Sequence, residues 1–318
     1  MPGLQLSPGL CKQIVSCVQN SNDLVALSRV SKDFHKEASA ALYAQVKLMQ
    51  PVQIALFVRT LTGPPSLIDY GILIRIFVLS THSLPRSLPQ DFWPNIQRVF
   101  FRLPNLRSLV LRDTAGTNSW VLDHPNIPFQ IQDLELSTTW DHHVVRFLQG
   151  QSRIKMLFLS GLVLPGSLTG AKATEKRSDD VSEPTGAFPP GLGGFDPEDS
   201  SIVLPNLQVL AAPLGLLKDF EPMSTILRNA QLVVPPFLPL KDVLQALRRL
   251  PRTMKGINLQ GLPTSASVPV LEVITQRCPN IRHFGTVYLP ICNVSPSVTT
   301  SNLRYSSSFI PDIAPRVH

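Results

Sequence analysis

The sequence predicts an α/β fold: a three-helix module at the N-terminus, then a curved solenoid in which strands and helices alternate. Three observations carry that prediction. Residues 5–48 hold three short apolar series at helical spacing, an LxxLxL template recurs eight times after them, and several stretches between its copies are periodic at three and four residues. The chain has 318 residues, 43% of them hydrophobic, enough to bury a sizeable core.

Ser7 and Pro8 open the first helix, the serine as N-cap and the proline at the first helical position, where its missing donor costs nothing. Leu10, Ile14, Cys17 and Val18 then share one face. Asn20, Ser21 and Asn22 interrupt, and Leu24, Leu27 and Val30 supply a second series. Ser31 caps a third helix carrying Phe34, Ala38, Ala41 and Leu42. From Val46 the pattern alternates, and Val46 and Leu48 mark a first strand. The predicted units are thus residues 1–48, a helical module, and residues 49–318, the solenoid.

The template copies are Ile74-Phe77-Leu79, Leu106-Leu109-Leu111, Ile131-Leu134-Leu136, Ile154-Leu157-Leu159, Leu207-Leu210-Ala212, a weak Asn229-Leu232-Val234, Met254-Ile257-Leu259 and Ile281-Phe284-Thr286. Their first positions step by 32, 25, 23, 53, 22, 25 and 27 residues, so one interval is out of line. Residues 165–203 explain it: rich in Pro, Gly, Ser and acids, they are expected to form a disordered insertion. Helical periodicity recurs at Ile54-Phe57-Leu61, Val144-Phe147-Leu148 closed by Gly150, Val243-Leu247-Leu250 and Leu271-Ile274-Cys278. A Pro-Asn-Leu or Pro-Asn-Ile tripeptide, at Pro104, Pro205 and Pro279, stands in the same frame before three strands. The tail from Ser295 to His318 carries no closing helical pattern.

Composition narrows the function. The longest apolar runs fall far short of the ~20 residues of a membrane span. The opening residues lack a secretory pattern, so an intracellular protein, cytoplasmic or nuclear, is expected. Cys11, Cys17, Cys278 and Cys292 form no CxxC pair and read as small buried residues. The formal charge is +7; the insertion holds seven acids and three bases, net −4, which leaves +11 for the remainder. Its basic residues are scattered along the chain, so nucleic acid is not the expected partner. Asp141-His142-His143 is the densest group of metal-ligand types, but neighbours on a helix point about 100° apart, and no metal is expected. With no GxGxxG, GxxxxGK[ST] or GxSxG, neither a cofactor nor an enzymatic activity is expected.

The segment LSPGLCKQIVSCVQNSNDLVALSRVSKDFHKEASAALYAQVKL resembles an F-box, in particular the F-box-like openings of fungal, basidiomycete-type F-box and leucine-rich-repeat proteins. The resemblance rests on Leu6, Leu10, Ile14, Val18, Asp23-Leu24, Leu27, Val30-Ser31-Lys32, Phe34 and Tyr43. The sequence departs from the family's Leu-Pro-x-Glu-Leu opening, reading Leu6-Ser7-Pro8-Gly9-Leu10. The repeats resemble the cysteine-containing type found with F-boxes, best seen from Val273 to Phe284. What the resemblance implies is a substrate adaptor of a Skp/cullin/F-box ubiquitin ligase. The helices would bind a Skp-family adaptor, and through it a cullin, by Leu6, Pro8, Leu10, Ile14 and Leu27; the repeats would bind a protein substrate. The alternative is a leucine-rich-repeat scaffold not coupled to ubiquitination. For the substrate, residues between and just after the inward positions project from the opposite strand face: Arg112, Asp133, Glu135, Phe158, Asn258, Gln260 and His283, with Val110 and Met156 beside them.

Overall fold

Three short helices begin the chain, α1 (Pro8–Cys17), α2 (Ser21–Leu27) and α3 (Lys32–Ala44). Each opens on a polar cap that satisfies a free backbone donor. Ser7 Oγ accepts from Leu10 N at 3.3 Å, Asn20 Oδ1 from Asn22 N at 3.0 Å and Ser31 Oγ from Phe34 N at 3.2 Å. α1 and α2 pack on α3 around Cys11, Val15, Leu24, Phe34 and Ala38, a cluster separate from the main core. The buried face of α1 therefore lies one position beyond the expected one: Leu10 and Cys17 are exposed, and Ile14 and Val18 half-buried. Cys11 and Ala38 are the small members of the cluster, and small side chains let two helices approach closely, which leaves bulky Leu10 outside. Ala41 and Val30 are likewise exposed.

These coordinates come from a computed structural model, which describes residues 6–63, 69–82, 84, 88–160, 201–220, 223–235 and 238–287. All of them fall within one compact unit, Met1–Tyr288. After α3 come nine strands: β1 (Gln45–Leu48), β2 (Ile76–Ser80), β3 (Ser108–Arg112), β4 (Asp133–Ser137), β5 (Met156–Leu159), β6 (Val209–Pro213), β7 (Asn229–Val233), β8 (Gly256–Gln260) and β9 (His283–Val287). They form one open sheet in chain order, every neighbouring pair parallel. Parallel neighbours need a crossover. Here the crossovers carry α4 (Pro51–Thr62), α5 (Phe92–Phe100), α6 (His142–Gln149), α7 (Leu240–Leu247) and α8 (Ser267–Arg277), with 3₁₀ turns at Tyr70–Leu73, Ser119–Leu122, Leu214–Asp219 and Thr264–Ala266. Among the described residues no helix is long and apolar enough to cross a membrane.

The template positions face the helices. Leu109, Leu111, Leu134, Leu136, Leu157, Leu159, Ile257 and Leu259 are all buried, and the residues between them are half-buried. The weak copy is corrected in β7. Register pairs Leu210 with Ala230 and Ala212 with Leu232, so the frame there is Leu227-Ala230-Leu232, with Asn229 exposed. Alanine at the middle position hides the frame, and a search for large apolar residues slips by two. In α8 the buried positions are Val270, Val273 and Ile274, while Leu271 is exposed. α5 has no counterpart in the sequence reading because Pro94 reads as a breaker; it sits in the first helical turn, where backbone donors have no intrahelical partner.

The tripeptide has a physical role at two of its sites. Asn105 Nδ2 donates to Ile72 O at 2.7 Å and Asn206 Nδ2 to Ser152 O at 2.9 Å, so each asparagine ties its own repeat to the one before. β5 pairs directly with β6, Met156 opposite Val209, so the long interval adds no described strand. Residues 165–200 of the expected insertion lie outside the described residues, as does the tail. Its last three residues belong to the packed unit: Ile202 is buried and its N–H donates to Asp219 O at 2.8 Å. Trp140 bridges the same gap, its ring tilted against Phe220 at 5.9 Å between centroids and its Nε1–H donating to Asp219 Oδ2 at 3.1 Å. Burial raises the Asp219 carboxyl above its usual range, with Lys218, this Trp140 hydrogen bond and Arg249 opposing.

A file of phenylalanines links successive repeats: Phe57 to Phe77 at 5.7 Å between ring centroids, Phe77 to Phe100 at 5.8 Å, Phe100 to Phe129 at 6.0 Å and Phe129 to Phe147 at 6.5 Å. The last three contacts are edge-on, the arrangement aromatic quadrupoles favour. Phe100→Ala removes the centre of this file, and we expect it to destabilise the fold by about 3–5 kcal/mol in urea unfolding. A loss below about 1 kcal/mol would mean the repeats do not lean on one another there.

Candidate functional site

Parallel sheets are ordinarily covered on both faces. In this sheet the described helices accompany the buried face, and the opposite face keeps partly exposed side chains in three rows fixed by register. The first row runs Ile76, Ser108, Asp133, Met156, Val209, Asn229, Gly256, His283; the second runs Val78, Val110, Glu135, Phe158, Ala211, Gln231, Asn258, Gly285. The third includes Arg112, beside Ser80 and Ser137, and further along Gln260, beside Val233. All seven residues expected to face a substrate lie on this one face.

They fall into two groups. Arg112, Asp133, Glu135 and Phe158 are neighbours on β3–β5, where Arg112 Nε donates to Glu135 Oε1 at 2.7 Å in a partly exposed ion pair. Asn258, Gln260 and His283 sit on β8 and β9, about 14 Å away at the usual strand spacing. Between the charged residues lies an apolar floor, in which Ile76, Val78 and Val209 join the expected Val110, Met156 and Phe158; all six are half-buried with no described cover. The signal for it is a loss of period-2 alternation, since residues between template positions are apolar there rather than polar.

Asp133 differs from its neighbours in having no hydrogen-bond or ion-pair partner among the described residues. Partial burial raises its carboxyl above the ordinary range, and Lys155 opposes the shift. At the far end, Asn258 Oδ1 is buried without a hydrogen-bond partner and leans toward Gly285, where a Cβ would meet it at 3.3 Å. Asn229 Oδ1 lies over Gly256 in the same way, 2.7 Å from where a Cβ would stand. These glycines make room for the asparagines of the preceding strand.

On the N-terminal helices the expected adaptor residues separate by exposure. Leu6 and Leu10 are 40% and 41% exposed, Pro8 is exposed, and Ile14 and Leu27 are half-buried against the small helical core. Val25 and Val30 add exposed apolar surface there. Of the cysteines, Cys11 and Cys278 are buried and Cys17 is exposed, correcting its expected burial; Cys292 lies outside the described residues. Burial raises the Cys278 thiol, partly offset by Arg277.

One cluster met the geometry the sequence reading set aside. Asp123, brought in from the turn before β4, places a carboxylate oxygen with ring nitrogens of His142 and His143, all within 4.8 Å of one another. Asp123 Oδ2 already accepts from His143 Nδ1 at 2.7 Å and from Arg146 Nη1 at 2.8 Å. The arginine answers the charge a cation would need, and we read the cluster as a clamp between that turn and α6. Asp141 completes it by capping α6 through His143 N and Val144 N and accepting from Ser119 Oγ.

Compared with known proteins, the chain matches no family model and no curated sequence. The site is therefore read from its own geometry.

The raised Asp133 carboxyl has a signed consequence. An acid whose folded pKa lies above its unfolded value loses stability when it ionises, so the cost is present above the folded pKa and absent well below the unfolded one. We expect Asp133→Asn to raise the melting temperature by about 1–3 °C at pH 7, and the gain to vanish below about pH 3.5. Scanning calorimetry across pH checks it; a lower melting temperature at pH 7 would contradict the assignment.

Proposed function

We propose that this chain is a substrate-recruiting adaptor of a Skp/cullin/F-box type ubiquitin ligase, with an F-box-like helical module and a leucine-rich-repeat sheet. The observation that carries the reading is the exposed apolar surface at the start of α1. Leu10, in the first turn of α1, and Leu6, just before its Ser7 cap, both remain open to solvent on a helical unit that has its own core. Exposed apolar anchors of this kind are what a partner's groove engages. Nine described strands in register, with no described residue covering one face, support the second half of the reading, a broad surface on which a protein substrate can lie.

A second reading, a repeat scaffold that recruits partners without a ligase, draws on the departure at Ser7, Pro8 and Gly9. Pro8 is spent as the first residue of α1, and Gly9, standing where the family has glutamate, has open space around it. The two readings part on one test. Purified full-length chain mixed with a Skp-family adaptor should elute as a 1:1 complex. Leu10→Asp should weaken it by about tenfold or more while the circular dichroism spectrum is unchanged. If the intact chain binds no adaptor, the ligase reading fails and the scaffold remains.

A further inference from the structure

One backbone ladder runs along the N-terminal edge of the sheet, formed by the residue that precedes each strand. Arg107 N–H donates to Arg75 O at 2.8 Å, Gln132 to Arg107 at 2.7 Å, Lys155 to Gln132 at 2.7 Å, Gln208 to Lys155 at 2.8 Å, Arg228 to Gln208 at 2.9 Å, Lys255 to Arg228 at 2.7 Å and Arg282 to Lys255 at 2.7 Å. Of these eight positions six carry a cation and two a glutamine. Six of the 29 basic residues, which look scattered along the chain, are thus gathered into one row. At about 4.8 Å per strand the row is roughly 34 Å long. Five of the six cations are exposed and Lys255 is half-buried. No side chain among the six makes an ion pair or hydrogen bond to a described residue. Arg228, Lys255 and Arg282 line one open recess with Thr253 and Asn280.

Among the described residues little answers this charge. In the first outward row Asp133 is the one described carboxylate beside the ladder, and Lys155 faces it. The described loop residues just before the template positions include one acid, Asp69, which accepts from Gly71 N, and Arg153 and Arg252 add two further cations. We propose that this edge binds the phosphate backbone of a nucleic acid. Four of the six cations are arginines, whose planar donor fork suits phosphate oxygens. A protein partner would need apolar anchors desolvated at the centre of its interface, and here the apolar groups of the recess, Ile226, Pro279 and Ile281, are interspersed with amides, hydroxyls and cations. The fitting partner is one that repeats its charge along its own backbone. The proposal stands independently of adaptor binding.

The test is fluorescence anisotropy of the full-length chain with a fluorescein-labelled single-stranded oligonucleotide of about 20 nucleotides, across a salt series. Six phosphate contacts predict a slope of log affinity against log salt near −4 to −5. The triple variant Arg228→Glu, Lys255→Glu, Arg282→Glu should weaken binding at least about fiftyfold at low salt and flatten the slope by about 2–3. A control with the same charge change on the helices, Arg59→Glu, Lys241→Glu, Arg248→Glu, should stay within about threefold of the parent. Equal losses in both variants would reduce the effect to net charge and overturn the proposal. So would a parent slope shallower than about −2. Tighter binding of poly-glutamate than of the oligonucleotide would overturn it in favour of an acidic protein segment. Because the parent slope is read without any substitution, the proposal stays open to refutation even if a variant fails to fold.

Discussion

The in-register hydrogen bonding of nine parallel strands is the constraint on which the rest depends. Register decides that two template side chains per strand enter the core and that the residues between them stack into continuous rows on the other face. It also gathers cations separated by 27 to 73 residues in sequence into one edge. A slip of one residue in a single strand would exchange its core and surface sets. Two devices outside the ladder oppose such a slip: Asn105 and Asn206, which reach back to the preceding repeat, and the phenylalanine file from Phe57 to Phe147.

Much of this was legible in the sequence because the physics is local and periodic. The frames of β2 to β6 and β8, the caps Ser7 and Ser31, and the position of the first strand follow from spacing alone. What spacing missed has particular causes. Ala230 is too small to announce a core position, and Pro94 looks like a breaker until its place in the first turn is known. The turn of α1 that exposes Leu10 depends on the close fit of Cys11 and Ala38, a tertiary matter.

The candidate surfaces were less legible, and for one reason. Function on a repeat sheet is written across strands, whereas periodicity is read along the chain. The seven outward residues were found because each sits at a fixed offset from a template position. In the apolar floor Ile76, Val78 and Val209 went unread because they look like core in one dimension. The cationic edge went unread because no two members are adjacent. Asp123 shows the same limit, since only folding brings it to His143 and Arg146. A partly buried Asp133 with no described partner amid that floor is a stability cost that the fold carries.

The register of β7 tests the account most directly, because the core frame, the outward rows and the cationic edge all pass through it. Cysteine pairs can be placed across β7 and β8 in a background with Cys17 and Cys292 replaced by serine. The account predicts rapid oxidation of the pair at positions 228 and 255, whose backbones are joined by the Lys255 N–H to Arg228 O bond, since facing positions on neighbouring strands fall within disulfide reach. The pair at positions 230 and 255, which the frame slipped by two would bring together, should stay reduced. Faster oxidation of the second pair would contradict the register and, with it, the rows and the edge built on it.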